Sequence, residues 1–161
     1  MNGADQFART LQALVRLYEL LLACCEKKRD ALVAYDTAAV ARCAEEEEAV
    51  ISRIRQADDL RREQIALLLP GEKQPTVTRL TESLGEQPPG PALAGLREHL
   101  RKLGMEVARV NRLNTQLCGQ ALAHLNGFLH TLAAGSPEQG TYDRRGVART
   151  FAARPLVNQS A

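Results

Sequence analysis

The sequence predicts an all-α protein: an antiparallel bundle of three long, coiled-coil-like helices, with a short helix in the connector between the second and third and a flexible C-terminal tail. Three observations predict this class. The 161 residues are 45% apolar but only 4% aromatic, with no Trp, so the core must be aliphatic. Neither Gly nor Pro occurs from Ala4 to Leu69. Apolar residues recur at alternating spacings of three and four, the pattern of helices packed side by side.

The first helix is expected over about residues 4–34. Lys28 interrupts its apolar seam at a point where the long side-chain stem can still lie along apolar surface. The seam positions are Phe7, Leu11, Leu14, Tyr18, Leu21, Cys25, Lys28 and Leu32.

The second helix is expected over about residues 37–69, with Asp36 capping its first turn. One unbroken helix through Asp36 stays open as an alternative, although it would leave a long apolar stripe without a partner. The run Glu45–Glu48 is typical of a solvated face interrupted by one seam residue, Glu47, because consecutive carboxylates on a helix cannot converge on one metal ion.

Pro70 and Gly71 end the second helix, and a short helix is expected over about 76–84. The stiff connector GEQPPGP, residues 85–91, is long enough to carry the chain back along the bundle. The third long helix is expected over about 92–134. Its seam positions are Leu93, Leu96, Leu100, Leu103, Val107, Val110, Asn114, Leu117 and Ala121, continued by His124 and Phe128.

The second half of the third helix lacks charge. From Leu113 to Pro137 there is no Lys, Arg, Asp or Glu. A helix without charge on any side is either buried on most sides or presents a surface to another molecule. Because only two long helices are available to cover it, a partner surface is favoured over core packing, which stays open.

Residues 1–134 are expected to form the helical bundle and residues 135–161 a flexible basic tail. The tail holds four Arg against Glu138 and Asp143, a surplus of two, while the remaining residues hold 17 charges of each sign. A tail without a role and a segment that orders against a partner are both open interpretations.

Several classes of function have no residues to support them. The neutral body lacks the basic stripe of a nucleic-acid binder. We expect no signal peptide and no stable membrane insertion, hence a cytoplasmic protein. No phosphate loop, HExxH or GxSxG occurs, the three His keep no metal-ligand spacing, and Asn111 and Asn114 favour a register-fixing role. We therefore predict no enzyme, no catalytic residue, no metal and no cofactor.

The four cysteines form no CxxC pair. They are expected to be reduced thiols that pack as small hydrophobes, with a redox role for the adjacent Cys24 and Cys25 as the alternative.

Three segments resemble the FlgN family of flagellar export chaperones. VARVNRLNTQLCGQAL, residues 107–122, is similar to the family pattern of two Asn three apart followed by a Leu: Asn111, Asn114 and Leu117. TYDRRG, residues 141–146, is similar to the family's tail motif of a Tyr followed closely by a Gly, but has Asp143 where the family more often has Gly. KKRDALVAYDTAAV, residues 27–40, resembles the end of the family's first helix.

The resemblance implies a cytoplasmic chaperone. It would bind the C-terminal helical segments of the hook-associated proteins of the hook–filament junction, prevent their premature assembly and deliver them to the cytoplasmic domain of the type III export gate. It further implies that Tyr142 contacts the gate and that the uncharged stretch 113–132 binds the substrate. The expected substrate contacts are Asn111, Asn114, Leu117, Ala121, Leu125, Phe128, Leu132 and Phe151.

Two other functions use the same apolar seam. A structural coiled-coil protein would self-associate through it, and a helical regulator would use it to sequester another protein.

Overall fold

The computed structural model describes residues 3–134, 141–142 and 148–149. Its elements are α1 (Gly3–Val33), α2 (Thr37–Leu68), α3 (Val77–Leu84), α4 (Gly90–Ala134), β1 (Thr141–Tyr142) and β2 (Ala148–Arg149). The four helices confirm the all-α class, and each begins and ends within two residues of its expected bounds. The two-residue strands were not anticipated; they pair antiparallel, with Thr141 opposite Arg149.

A tight turn separates α1 from α2, so the alternative of one unbroken helix is wrong. Tyr35 adopts a left-handed conformation with φ 56°. The amides of Tyr35 and Asp36 donate to the carbonyls of Leu32 and Ala31 at 3.2 and 3.0 Å, which is the hydrogen-bond pattern of a Schellman ending. The Asp36 carboxylate then accepts from the amide of Ala39 at 2.9 Å and caps α2.

The chain divides into two compact units, Met1–Cys118 and Gly119–Ala161. The boundary falls inside α4, which has 45 residues, whereas α1 and α2 have 31 and 32. Neither of the shorter helices is long enough to pair with all of α4. The expected division into a bundle of 1–134 and a flexible tail of 135–161 stays a prediction.

The unit Met1–Cys118 is held together by two apolar clusters. One joins the first half of α1 to the end of α2, to α3 and to the start of α4, through Phe7, Leu11, Leu14, Ile65, Leu80 and Leu93. The other joins the second half of α1 to the middle of α2 and to residues 107–110 of α4, through Leu21, Cys24, Cys25, Val50, Val107 and Val110. Within this unit α2 therefore runs antiparallel to α1, and α4 runs parallel to α1.

The connector between α2 and α4 stays at one end of this unit and does not return along it. Leu80 of α3 is 3% exposed and shares a cluster with Ile65 near the end of α2 and Leu93 near the start of α4. The chain has no need to return, because α4 begins beside the place where α2 ends. Thr76 caps α3 by accepting from the amide of Arg79 at 3.2 Å.

Candidate partner-binding site

A polar layer interrupts the core of the unit Met1–Cys118 near the second cluster. Lys28 of α1 and Glu47 of α2, charged residues expected on the seams of their helices, form an ion pair whose side chains are 18% and 11% exposed. Each charged group therefore neutralises the other in a site with little access to water. The second carboxylate oxygen of Glu47 is buried and has no hydrogen-bond partner among the described residues.

Asn111 and Asn114 of α4 face α1 at the same level. Asn114 is 3% exposed, and its side-chain nitrogen donates to the backbone carbonyl of Cys25 at 2.9 Å. The side-chain oxygen of Asn111 accepts from the Cys25 thiol at 3.4 Å. A directional bond to a main-chain carbonyl fixes the register of α4 against α1. This geometry suits the structural role, and contact of either Asn with a partner stays a prediction.

The adjacent thiols of Cys24 and Cys25 are buried in the second apolar cluster. Burial, together with the nearby Glu47 carboxylate, raises the pKa of Cys25 to about 12. Burial, followed by the charge of Glu46, raises the pKa of Cys24 above its ordinary value. Since the thiolate is the reactive form of cysteine, a raised pKa makes both side chains less reactive and suits them to packing.

The unit Gly119–Ala161 contains the last part of α4, whose large apolar side chains are exposed. Leu125, Phe128 and Leu132, three of the expected partner contacts, are 58%, 62% and 56% exposed. Two neighbours that had not been assigned to the site, Leu122 and Leu129, are each 60% exposed. Isolated exposed leucines are ordinary, but five large apolar residues within eleven positions form a contiguous patch.

We call these five residues the apolar stripe: Leu122, Leu125, Phe128, Leu129 and Leu132. At 100° per residue they cover roughly 120° of the helix circumference and about 15 Å along its axis. Ala121, another expected contact, lies on the same face of the helix and is half-buried. No charged residue lies within this part of α4. A partner is therefore recognised there by apolar surface and shape, since no side chain of the stripe can form an ion pair.

The remaining expected contacts lie elsewhere. Leu117 is half-buried and belongs to the unit Met1–Cys118. Phe151 lies outside the described residues. Tyr142 is described only through its backbone, which pairs with Ala148. The gate contact assigned to Tyr142 and the substrate contact assigned to Phe151 stay predictions.

The sequence analysis did not assign Leu122 and Leu129 to the site. Both lie three or four residues from Leu125 or Leu132, which were assigned. A count of all apolar residues within one helical face, rather than along one line, would have found them.

The described residues contain no group of three or more His, Cys, Asp or Glu side chains arranged to hold a metal ion. None of the helices among them combines the length and apolarity that crossing a membrane requires.

The model of the family described as FlgN protein matches residues 1–150. No curated protein and no solved structure matches the chain.

Proposed function

The chain belongs to the FlgN family, the flagellar export chaperones, and from that premise we propose that it binds hook-associated proteins of the hook–filament junction in the cytoplasm. By covering the C-terminal helical segments of these proteins it prevents premature assembly. It then delivers them to the cytoplasmic domain of the flagellar type III export gate. The role is one of binding, without catalysis or cofactor.

The observation that carries this proposal is the apolar stripe. A subunit that has not yet assembled has an amphipathic helix whose apolar face lacks its neighbours. Such a helix docks through apolar residues at spacings of three and four. Leu125, Phe128 and Leu132 present the same spacing. Together with Leu122 and Leu129 they form a stripe that three turns of a client helix can cover.

The stripe also suits a client that must be released. It is about 15 Å long, far shorter than the helices that form permanent bundles. A contact of this size, opposed by the entropy cost of ordering the client segment, favours micromolar affinity over nanomolar affinity. Export would then need no separate energy input to break a tight complex.

Delivery to the gate is assigned to the tail. Tyr142 lies in the segment that resembles the family's tail motif, and its backbone forms one half of the short β1–β2 ladder. We propose that Tyr142 contacts the gate while the apolar stripe holds the client. The two contacts use different residues, so each can be removed without the other.

The test is direct binding of purified full-length chain to a purified hook-associated protein, measured by titration calorimetry. Phe128→Asp places a charge in the middle of the stripe and is expected to weaken binding at least tenfold. Leu67→Asp is the matched control, since Leu67 is an 81% exposed apolar residue of α2 outside the stripe. Equal loss in both variants, or binding unchanged by Phe128→Asp, would refute the site.

Self-association through the same stripe is the competing outcome. Sedimentation of the full chain at micromolar concentration separates the two functions. A stable dimer that Phe128→Asp converts to monomer would favour the structural coiled coil. A monomer that gains mass only with a hook-associated protein supports the chaperone.

A further inference from the structure

A groove between α2 and α4 has no part in the proposed function. It lies within the unit Met1–Cys118 and encloses a volume of about 310 Å³. Leu14, Tyr18, Ile54 and Leu100 supply its apolar lining. Its lining spans residues 54–61 of α2 and 97–104 of α4. That is about 10 Å of each helix, a length that accepts a short segment of polypeptide.

Three arginines line the groove. Arg61 lies on the α2 side and Arg97 and Arg101 on the α4 side, with Asp58 as the one acidic lining residue. Asp58 pairs with Arg61 at 2.7 Å and with Arg62 at 2.9 Å. Within the lining, Arg61 is therefore balanced by Asp58.

The α4 side carries the positive charge of the groove, through Arg97 and Arg101. Glu98 pairs with Arg101 at 2.8 Å and lies 4.0 Å from Lys102. Arg97 donates to the Thr78 hydroxyl at 2.8 Å and has no carboxylate within ion-pair distance in the described part of the chain. The lining of the groove therefore holds three arginines and one carboxylate, a surplus of two. The chain as a whole has a formal net charge of only +2.

Gly104 forms part of the groove wall in the interior of α4. Glycine is unfavourable inside a helix, and it persists there when a neighbour approaches the backbone closely. A methyl group at Gly104 would meet nothing within 4 Å in this chain. The space beside Gly104 is therefore open to a bound segment, as is the space beside Gly95 on the same helix.

We propose that this groove is a second docking site, which binds an acidic amphipathic segment of a partner protein. An apolar side chain of that segment lies on Tyr18 and Ile54, and carboxylates on either side of it reach Arg61 across the groove and Arg97 and Arg101 along α4. The two α4 arginines are one helical turn apart, which matches carboxylates that are also one turn apart on a bound helix. The chain's own basic tail has the wrong charge to occupy the groove.

The test uses full-length chain carrying Phe128→Asp, so that the apolar stripe cannot contribute. The probe is a fluorescein-labelled 14-residue peptide with two Leu at i and i+4 flanked by Glu. Control peptides replace Glu by Gln or Leu by Ser. The acidic apolar peptide is expected to bind at least tenfold more tightly than either control in low salt, and to weaken as salt rises. Equal binding of the three peptides, or none, overturns the proposal.

Two pairs of variants locate the binding. Arg97→Gln with Arg101→Gln is expected to weaken the peptide about tenfold, whereas Arg42→Gln with Arg53→Gln removes the same charge from exposed positions outside the groove and leaves binding unchanged. Gly104→Leu fills the groove and abolishes binding without loss of thermal stability. Gly95→Leu, also in open space on α4, gives the same gain in helix propensity and leaves binding intact. Equal effects within either pair refute the site.

Other occupants are distinguished in the same experiment. If the Glu and Gln peptides bind equally and decanoate displaces them, the ligand is an aliphatic carboxylate and the proposal is overturned. A dimer of the Phe128→Asp chain that Gly104→Leu dissociates would identify a second copy of this chain and also overturn it. Because the stripe is blocked throughout, neither result bears on the proposed chaperone function.

Discussion

Replacing Phe7 and Phe128 by alanine is the same chemical change at two positions with opposite surroundings. Phe7 is 0% exposed and belongs to the first apolar cluster, so its truncation removes a buried ring and leaves a cavity, at a cost of about 3–5 kcal/mol. Phe128 is 62% exposed, so no more than 38% of it is covered. Since full burial of such a side chain is worth about 1.5–3 kcal/mol, truncation of Phe128 costs roughly 1 kcal/mol or less.

The two variants should separate stability from binding. Thermal unfolding followed by circular dichroism should show a melting temperature lowered by roughly 10 °C for Phe7→Ala and by no more than a few degrees for Phe128→Ala. Below its melting temperature Phe7→Ala should bind a hook-associated protein normally, while Phe128→Ala should bind it poorly. A large stability loss in Phe128→Ala would show that its ring is packed within the protein, and the argument for an exposed stripe would fail.

Three further predictions concern the polar layer. Lys28→Met should lower the free energy of unfolding in urea by about 3 kcal/mol, because it leaves the Glu47 carboxylate buried without its partner. Adding Glu47→Leu should recover most of that loss. A double variant no more stable than Lys28→Met would contradict this. Asn114→Ala should cost about 1–2 kcal/mol by removing its bond to the Cys25 carbonyl, and an unchanged urea midpoint would dismiss that bond as a stabilising contact. The folded-state pKa of Cys25 is raised from 9.0 to about 12, so the contribution of the protonated thiol to the free energy of unfolding is full below pH 9 and is lost as pH rises toward 12, at about 1.4 kcal/mol per pH unit. The free energy of unfolding of Cys25→Ala should therefore fall less steeply over that range than that of the unchanged protein. Parallel curves for the two proteins would refute the pKa shift.

The sequence by itself determined the helices. Their bounds depend on interactions between residues close in the chain: the absence of Gly and Pro from Ala4 to Leu69, the cap at Asp36, and the stop at Pro70 and Gly71. The alternating spacing of three and four also predicted which face of each helix is buried. Phe7, at the start of the first seam, is among the most buried residues of the chain. Local rules of this kind can be applied without knowing which helices meet.

The sequence also identified the seam residues of the third long helix, but it did not show what surrounds each of them. Asn114 and Phe128 both fall on one continuous line of seam positions, yet Asn114 is 3% exposed and Phe128 is 62% exposed. Periodicity identifies an apolar face without saying what covers it. That depends on the lengths of the other helices, and α1 and α2 are shorter than α4 by 14 and 13 residues.

Only the tertiary structure decided the pairings between distant residues. In the sequence, Lys28 and Glu47 are charged residues on largely apolar seams. The antiparallel packing of α1 on α2 brings them together as an ion pair. The three arginines of the groove come from α2 and α4, and no spacing along the chain relates Arg61 to Arg97. Such contacts follow from the register between helices, which the packing of whole side-chain layers sets and which no local pattern encodes.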